Sequence, residues 1–236
     1  MTLMDVPVAP PLPAAASPPR PPPGVGTERR LTLTGIRWQT YVQLSDEVRS
    51  GVRITYDRGR MEIVMPGEVH EDVKTILTRI IVAYAEAIDV DAEGLGNWTM
   101  RREDLARGLE PDDCYSVATA ALRIATRREG RRLDLTIDPP PDLVVEIDIS
   151  PAEVAEPPIY AALGVPEIWR YDGRAVTYLA RTADGQYATA DRSLSFPDLP
   201  VAWVNEALAV GLTQGHRAAA AEVRRRVVGA SPAAGS

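Results

Sequence analysis

The run Pro139-Pro140-Pro141-Asp142-Leu143-Val144-Val145-Glu146-Ile147-Asp148-Ile149-Ser150 constrains the fold more than any other stretch of the chain. Three successive prolines end whatever precedes them, because proline has no backbone N–H and a fixed φ, and the β-branched run behind them predicts a strand over 142–150. Successive side chains of a strand point to opposite faces. Leu143, Val145, Ile147 and Ile149 therefore share one face, and Asp142, Val144, Glu146 and Asp148 share the other. Three carboxylates on one face of an apolar strand disfavour each other's ionisation, so something must offset the cost.

The neighbouring segments place that strand in a sheet. Val52–Tyr56 and Met61–Met65 are short apolar runs on either side of Asp57-Arg58-Gly59-Arg60, the pattern of a β-hairpin. From Val69 to Ile88 the residues Val73, Ile76, Leu77, Ile80, Ile81 and Tyr84 recur at three- and four-residue spacings, which predicts a helix with one buried stripe and His70, Glu71 and Lys74 at its start. A strand-like piece at 95–100, a polar connection over 101–111 and a strand from about Asp112 to Val117 follow. After the proline run, a short helix at Ile159–Leu163 ends at Gly164, strands at 167–171 and 175–179 flank Asp172-Gly173, and a helix over 199–212 closes the series. Strand, helix, strand in that order fits a crossover unit, so the expected class is α+β with α/β character: a mixed central sheet flanked by helices.

The ends are different in composition. Residues 1 to about 27 hold nine of the chain's 21 prolines and no apolar period, so 1–28 is expected to be a disordered Pro/Ala-rich leader, 31–228 one folded domain, and 229–236 a disordered tail. With 26 basic and 33 acidic residues the net charge is −7, which argues against a surface that coats nucleic acid or an anionic membrane as a whole. One cysteine and two histidines exclude an intramolecular disulfide and imidazole- or thiolate-rich metal sites, so any metal must sit on carboxylates. No apolar run is long enough to span a bilayer, and the chain is expected to be soluble and cytoplasmic.

A hard divalent cation is the usual partner of clustered carboxylates. Asp112, behind Pro111 and 34 residues before Glu146, is the natural distant acid, because that interval allows a strand, a turn and a return. Such a pair could hold an ion that activates water and stabilises charge at phosphorus. The plain alternative is a set of solvent-facing strand acids.

At these residues the chain resembles a known family. Met65-Pro66 with His70-Glu71, Arg101 to Leu105, Glu110 to Tyr115, Asp138 to Asp148, Ile159 to Asp172 and Leu194 to Pro200 are together similar to the Uma2 (Uma-two) restriction-endonuclease family of the PD-(D/E)XK nuclease superfamily. The likeness runs from Met61 to Pro200, about 60% of the chain. It implies a nuclease-like core and an endonuclease that hydrolyses DNA phosphodiester bonds with Mg²⁺ or Mn²⁺. It further implies Asp112 and Glu146 as metal-binding acids and Glu71 as an accessory acid. Superfamily members carry a lysine two residues after the second acid, whereas this chain has Asp148 there and no lysine or arginine from Ser150 to Ile159. Asp148 could bind a second metal. The only lysine, Lys74, is either a migrated catalytic lysine or a plain surface residue of the helix. A catalytically degenerate relative that binds nucleic acid or self-associates is the competing expectation.

Arg123, Arg127, Arg128, Arg131 and Arg132, between the two acid-bearing segments, form a candidate patch for DNA phosphates, with a solvated hairpin or loop as the alternative. His70 either holds Glu71 or a metal-bound water, or serves as a surface hydrogen-bonding group. Cys114 lacks a neighbouring histidine in sequence and reads as a small core residue, as Trp169 and Tyr171 read as core aromatics. No phosphate-cradling glycine loop is present, which argues against nucleoside triphosphate or dinucleotide chemistry. A homodimer is left open.

Overall fold

The computed structural model describes residues 28–48, 51–131 and 133–230. Nearly all of the proline-rich leader and most of the C-terminal tail lie outside the described residues. The architecture is α+β, with two sheets rather than one.

The smaller sheet is antiparallel. It contains β1 (Arg29–Thr34), β2 (Arg53–Asp57), β3 (Arg60–Met65), β5 (Met100–Arg102) and β6 (Arg107–Leu109), in the order β1-β3-β2-β6-β5. The predicted hairpin is β2–β3, paired from Arg53–Val64 to Asp57–Arg60. Its two loop residues, Arg58 and Gly59, have φ of 46° and 93°, as a tight two-residue turn between twisted strands requires. Helix α1 (Trp38–Glu47) lays Tyr41 against Tyr56 of β2, with ring centroids 4.8 Å apart. The polar connection expected over 101–111 is instead a second hairpin, β5–β6, which closes this sheet against β2.

The larger sheet is the mixed one. Its order is β11-β10-β9-β8-β7-β4, built from β4 (Glu93–Gly94), β7 (Asp113–Ser116), β8 (Leu143–Ile147), β9 (Glu167–Tyr171), β10 (Val176–Arg181) and β11 (Tyr187–Ala190). Only β8 and β9 run parallel, joined through α4 (Pro157–Leu163), which ends at Gly164 with φ 83°. The faces of β8 follow the alternation. Leu143, Val145 and Ile147 join Trp169, Tyr171 and Tyr178 in one core with α2 (Glu68–Ala87), α5 (Val201–Gln214) and α6 (His216–Ala230). Val144 faces the other way, toward Ile159, Tyr160 and Leu163 of α4 and toward Met100 and Leu109 of the smaller sheet. All six apolar stripe residues predicted for α2 are buried. The closing helix is α5, and α6 follows it, so ordered structure continues through Ala230 and past the expected boundary. The arginine-rich segment over 120–128 is helix α3 (Ala120–Arg128) rather than a hairpin or loop. None of the described helices is long and apolar enough to cross a membrane.

Candidate active site

The acids meet because of strand register. β7 and β8 pair antiparallel at Asp113–Val145, and one step further along the ladder brings Asp112 opposite Glu146. A direct bond fixes the arrangement: the Ile147 N–H donates to Asp112 Oδ2 at 2.8 Å. Both side chains are buried, Asp112 at 1% exposure and Glu146 at 3%.

Between them stands a cation that the sequence did not announce. Arg53, the first residue of β2, puts Nη1 2.5 Å from Asp112 Oδ1 and 3.4 Å from Glu146 Oε2. Arg53 is itself only 8% exposed, and its Nε is buried with no hydrogen-bond partner among the described residues.

The two acids differ in everything else they touch. Asp112 also bonds His70 Nε2 at 2.5 Å, from the first turn of α2, and the other ring nitrogen, Nδ1, bonds Glu28 Oε1 at 2.6 Å. A carboxylate oxygen on each nitrogen favours the cationic imidazole, in which both nitrogens donate. Burial alone would lower the His70 pKa, yet the bonds to Asp112 and Glu28 raise it. By the same balance Asp112 and Glu28 are held below the usual carboxylate range: burial opposes ionisation, and Arg53 and His70 overcome it for Asp112, His70 and Ser150 for Glu28. Glu28 also meets Arg30 at 3.2 Å and the Ser150 hydroxyl. His70 is thus wholly buried, not a surface group, and Glu28 is not part of a passive leader but a side chain anchored at the site.

Glu146 lies in poorer company. Tyr160 of α4 donates its hydroxyl to Oε1, and Glu156, at the N-terminal end of the same helix, accepts from Thr55 Oγ1 of β2 at 3.2 Å. Burial first, and then the charge of Glu156, push Glu146 well above the usual carboxylate range. Burial and the Asp148 charge push Glu156 up to about 7. Asp148, on the same strand face by the alternation of β8, turns to Arg170 at 2.6 Å and Arg30 at 3.8 Å, and does not converge with Asp112 on Arg53.

A cleft of about 310 Å³ opens onto this arrangement, lined by Arg53 and Asp112 together with Glu71, Lys74 and Asn97. Glu71 and Lys74 lie one helical turn apart on α2 and pair at 3.3 Å, both partly exposed. The structure therefore brings Asp112, Glu146, Glu71 and Lys74 into one neighbourhood, adds Arg53, His70, Glu28, Glu156 and Tyr160, and leaves Asp148 tied to other partners. Arg53 carries no distinguishing signal in the sequence: it stands at the head of a strand run, with Glu47 and Asp57 on either side.

The arginine patch resolves differently from its expectation. Arg123 is 2% exposed, bonds the Ser116 hydroxyl at 2.8 Å and the Pro139 carbonyl at 2.5 Å, and stacks 5.7 Å over Trp98, so it ties α3 to the proline run. Arg127 pairs Glu93 at 2.7 Å and Arg131 pairs Asp138 at 2.7 Å, while Arg128 is exposed. Arg132 lies outside the described residues. Cys114 is buried, as expected of a core residue, and burial raises its thiol pKa.

Among the described residues no three His, Cys, Asp or Glu side chains form a ready-made metal cluster. The donor chemistry nonetheless fits a hard cation: two buried carboxylates, opposed across a ladder, converge on one positive atom, Arg53 Nη1. No curated protein matches the chain. One family model does, over residues 38–213, which extends past both ends of the resembling stretch to take in α1 and the β2 strand that bears Arg53. That model is Uma2, described as "Putative restriction endonuclease", and it covers most of the chain, so the protein belongs to the Uma2 family.

Proposed function

We propose that this protein is a divalent-metal-dependent endonuclease that hydrolyses phosphodiester bonds of DNA, with Asp112 and Glu146 as the acids that hold Mg²⁺ or Mn²⁺. The observation that carries the reading is the convergence of two buried, cross-strand carboxylates on a single cationic atom at the edge of a cleft. When bound there, the ion would supply a Lewis acid for the phosphate and acidify a water. In the hydrolysis, the water oxygen bonds to phosphorus, one ester P–O bond breaks, and the departing sugar oxygen takes up a proton.

The chain's own residues do the positioning. The Ile147 N–H and His70 fix the two oxygens of Asp112, so that carboxylate cannot rotate out of line. Tyr160 fixes one oxygen of Glu146 and leaves the other toward Arg53. Lys74, paired to Glu71 in the same cleft, is placed to attract a phosphate along the backbone of the substrate. The restriction-endonuclease description of the family favours DNA as the substrate.

A second reading is favoured by one observation: the cation already between the acids is an arginine, and among the described residues no third acid completes a metal-holding group with them. On that reading the fold is a silent relative that binds nucleic acid. Nicking of a supercoiled plasmid in Mn²⁺ and Mg²⁺, beside a folded Asp112→Ala, Glu146→Ala double variant, separates the two. The nuclease reading expects metal-dependent nicking only in the unmutated protein, together with a metal-induced rise in its Tm that the double variant lacks. Equal or absent nicking in both, with no metal response, supports the silent fold.

A further inference from the structure

Two features of Arg53 point to a ligand beyond the acids it pairs with. The first is its position: Nη1 lies within 2.5 Å of Asp112 Oδ1 and 3.4 Å of Glu146 Oε2, at the point the two carboxylates share. The second is its unused donor, because Nε is buried without a partner among the described residues although a guanidinium N–H away from water is costly to leave unmade. The side chain also lines the cleft. A planar fork with an unsatisfied donor, held at the wall of a cleft by two acids, matches one ligand chemistry above others: a tetrahedral oxyanion with at least two free oxygens.

We propose that Arg53 is the catalytic cation of this site, anchored between Asp112 and Glu146 and donating its guanidinium N–H groups to the non-bridging oxygens of the scissile phosphate. The proposal rests on the nuclease reading and assigns to β2 the positive charge that the sequence lacks two residues after Glu146. Arg53 transfers no proton; it stabilises the negative charge that builds on the phosphate oxygens as the water bonds to phosphorus and the ester bond breaks. Because one seat faces two carboxylates, Arg53 and a divalent cation compete for the same oxygens. With a metal held by Asp112 and Glu146, the guanidinium would give up part of its contact with those oxygens and have its N–H groups free for the phosphate, so metal binding and phosphate contact would be coupled.

The test uses the full chain as wild type, R53A, R53Q and R53K, with folding followed by circular dichroism, Mn²⁺ response by the rise in Tm without DNA, and plasmid nicking at saturating Mn²⁺. The expected result for R53A is a Mn²⁺ response at lower metal concentration than in the wild type, together with nicking slowed about 100-fold or more through kcat. R53K, which restores charge without the fork, should recover part of that rate. A structural arginine would give the opposite pairing, with metal response and fold lost together. If R53A does not fold, R53Q, which keeps length and polarity, decides on the same two readouts. A wild type that nicks and a folded R53A or R53Q that nicks equally well would overturn the role of Arg53 and leave the nuclease reading intact. A wild type that neither nicks nor responds to Mn²⁺ would overturn the nuclease reading and the role of Arg53 with it.

Discussion

Two halves of the same buried cluster contrast sharply. On one side, Asp112 and Glu28 share His70, and Asp112 has Arg53 as well; every carboxylate has a cation in contact and both are held below the usual range. On the other, Glu146 and Glu156 have a tyrosine and a threonine as hydrogen-bond partners and share the far reach of one guanidinium; both are pushed up. The residue types and the burial are alike. What differs is the balance of cations and hydrogen-bond donors against neighbouring acids: it holds Asp112 and Glu28 low, whereas burial and repulsion between acids push Glu146 and Glu156 up. In the first half charges of both signs meet in contact, and in the second burial and mutual repulsion suppress negative charge that an added cation would favour.

The sharpest way to break the contrast is to remove its central cation. His70→Ala leaves Asp112 and Glu28 facing each other across a hole with no shared partner, and breaking a buried pair in this way costs about 3–5 kcal/mol. Urea unfolding at pH 6 should show that loss, with most of it recovered at low pH, where the stranded acids can be protonated. The native contribution of His70 has the opposite limb: its raised pKa stabilises the fold fully below the ordinary histidine value and the contribution fades as pH rises through the folded value.

Next in size is a matched pair of amide substitutions. Asp112→Asn removes an ionised partner from His70 and Arg53 and should cost about 2–4 kcal/mol at pH 7. Glu146→Gln replaces an acid whose ionisation burial and the Glu156 charge already disfavour and should change stability by no more than about 1 kcal/mol. Equal losses in the two variants would show that the halves do not differ in protonation.

That contrast was only partly legible in the sequence. The stripe on α2 and the two faces of β8 could be read because each follows a simple period against a single core. Arg53 broke the reading because β2 is the middle strand of its sheet and is covered on both faces, so polar alternation did not mean solvent. α3 hid for a related reason: its inward residues are Ala120, Arg123 and Thr126, a helical period written partly in polar letters. The partners of the site are far apart along the chain, His70 and Asp112 by 42 residues, Arg53 and Glu146 by 93. Glu28 lay against a proline-rich stretch whose composition masked it. Asp112 and Glu146 could be paired in the sequence because each adjoins or lies on an apolar strand run; the cations around them belong to the other sheet and to a helix.

Glu156 gives a graded test. Its folded pKa is raised from 4.5 to about 7, so the folded protein binds a proton that the unfolded chain releases between those values. Wild-type stability from this group is therefore fully present below pH 4.5 and lost as pH rises toward 7. Glu156→Gln keeps the acceptor for Thr55 and cannot ionise. Its Tm should match the wild type near pH 4.5 and exceed it increasingly up to pH 7, by on the order of 2 kcal/mol in unfolding free energy, allowing about 1.4 kcal/mol for each tenfold change in proton affinity and discounting for coupling to Asp148. A constant offset at all pH values would instead point to packing.

The smallest effect belongs to the acid that sequence reasoning grouped with the metal ligands. Asp148 pairs with Arg170, which is 46% exposed on its side chain, at 2.6 Å, and more distantly with Arg30. Water screens such a pair, and exposed ion pairs contribute about 0.2–1 kcal/mol. Asp148→Asn should therefore lower stability by that little, and it should also relieve the charge that raises Glu156, so the upper edge of the Glu156 titration moves down. Plasmid nicking and the Mn²⁺ response should survive the change if Asp112 and Glu146 alone hold the ion. Loss of the metal response in Asp148→Asn would return Asp148 to the ligand set and join the two halves of the cluster through it.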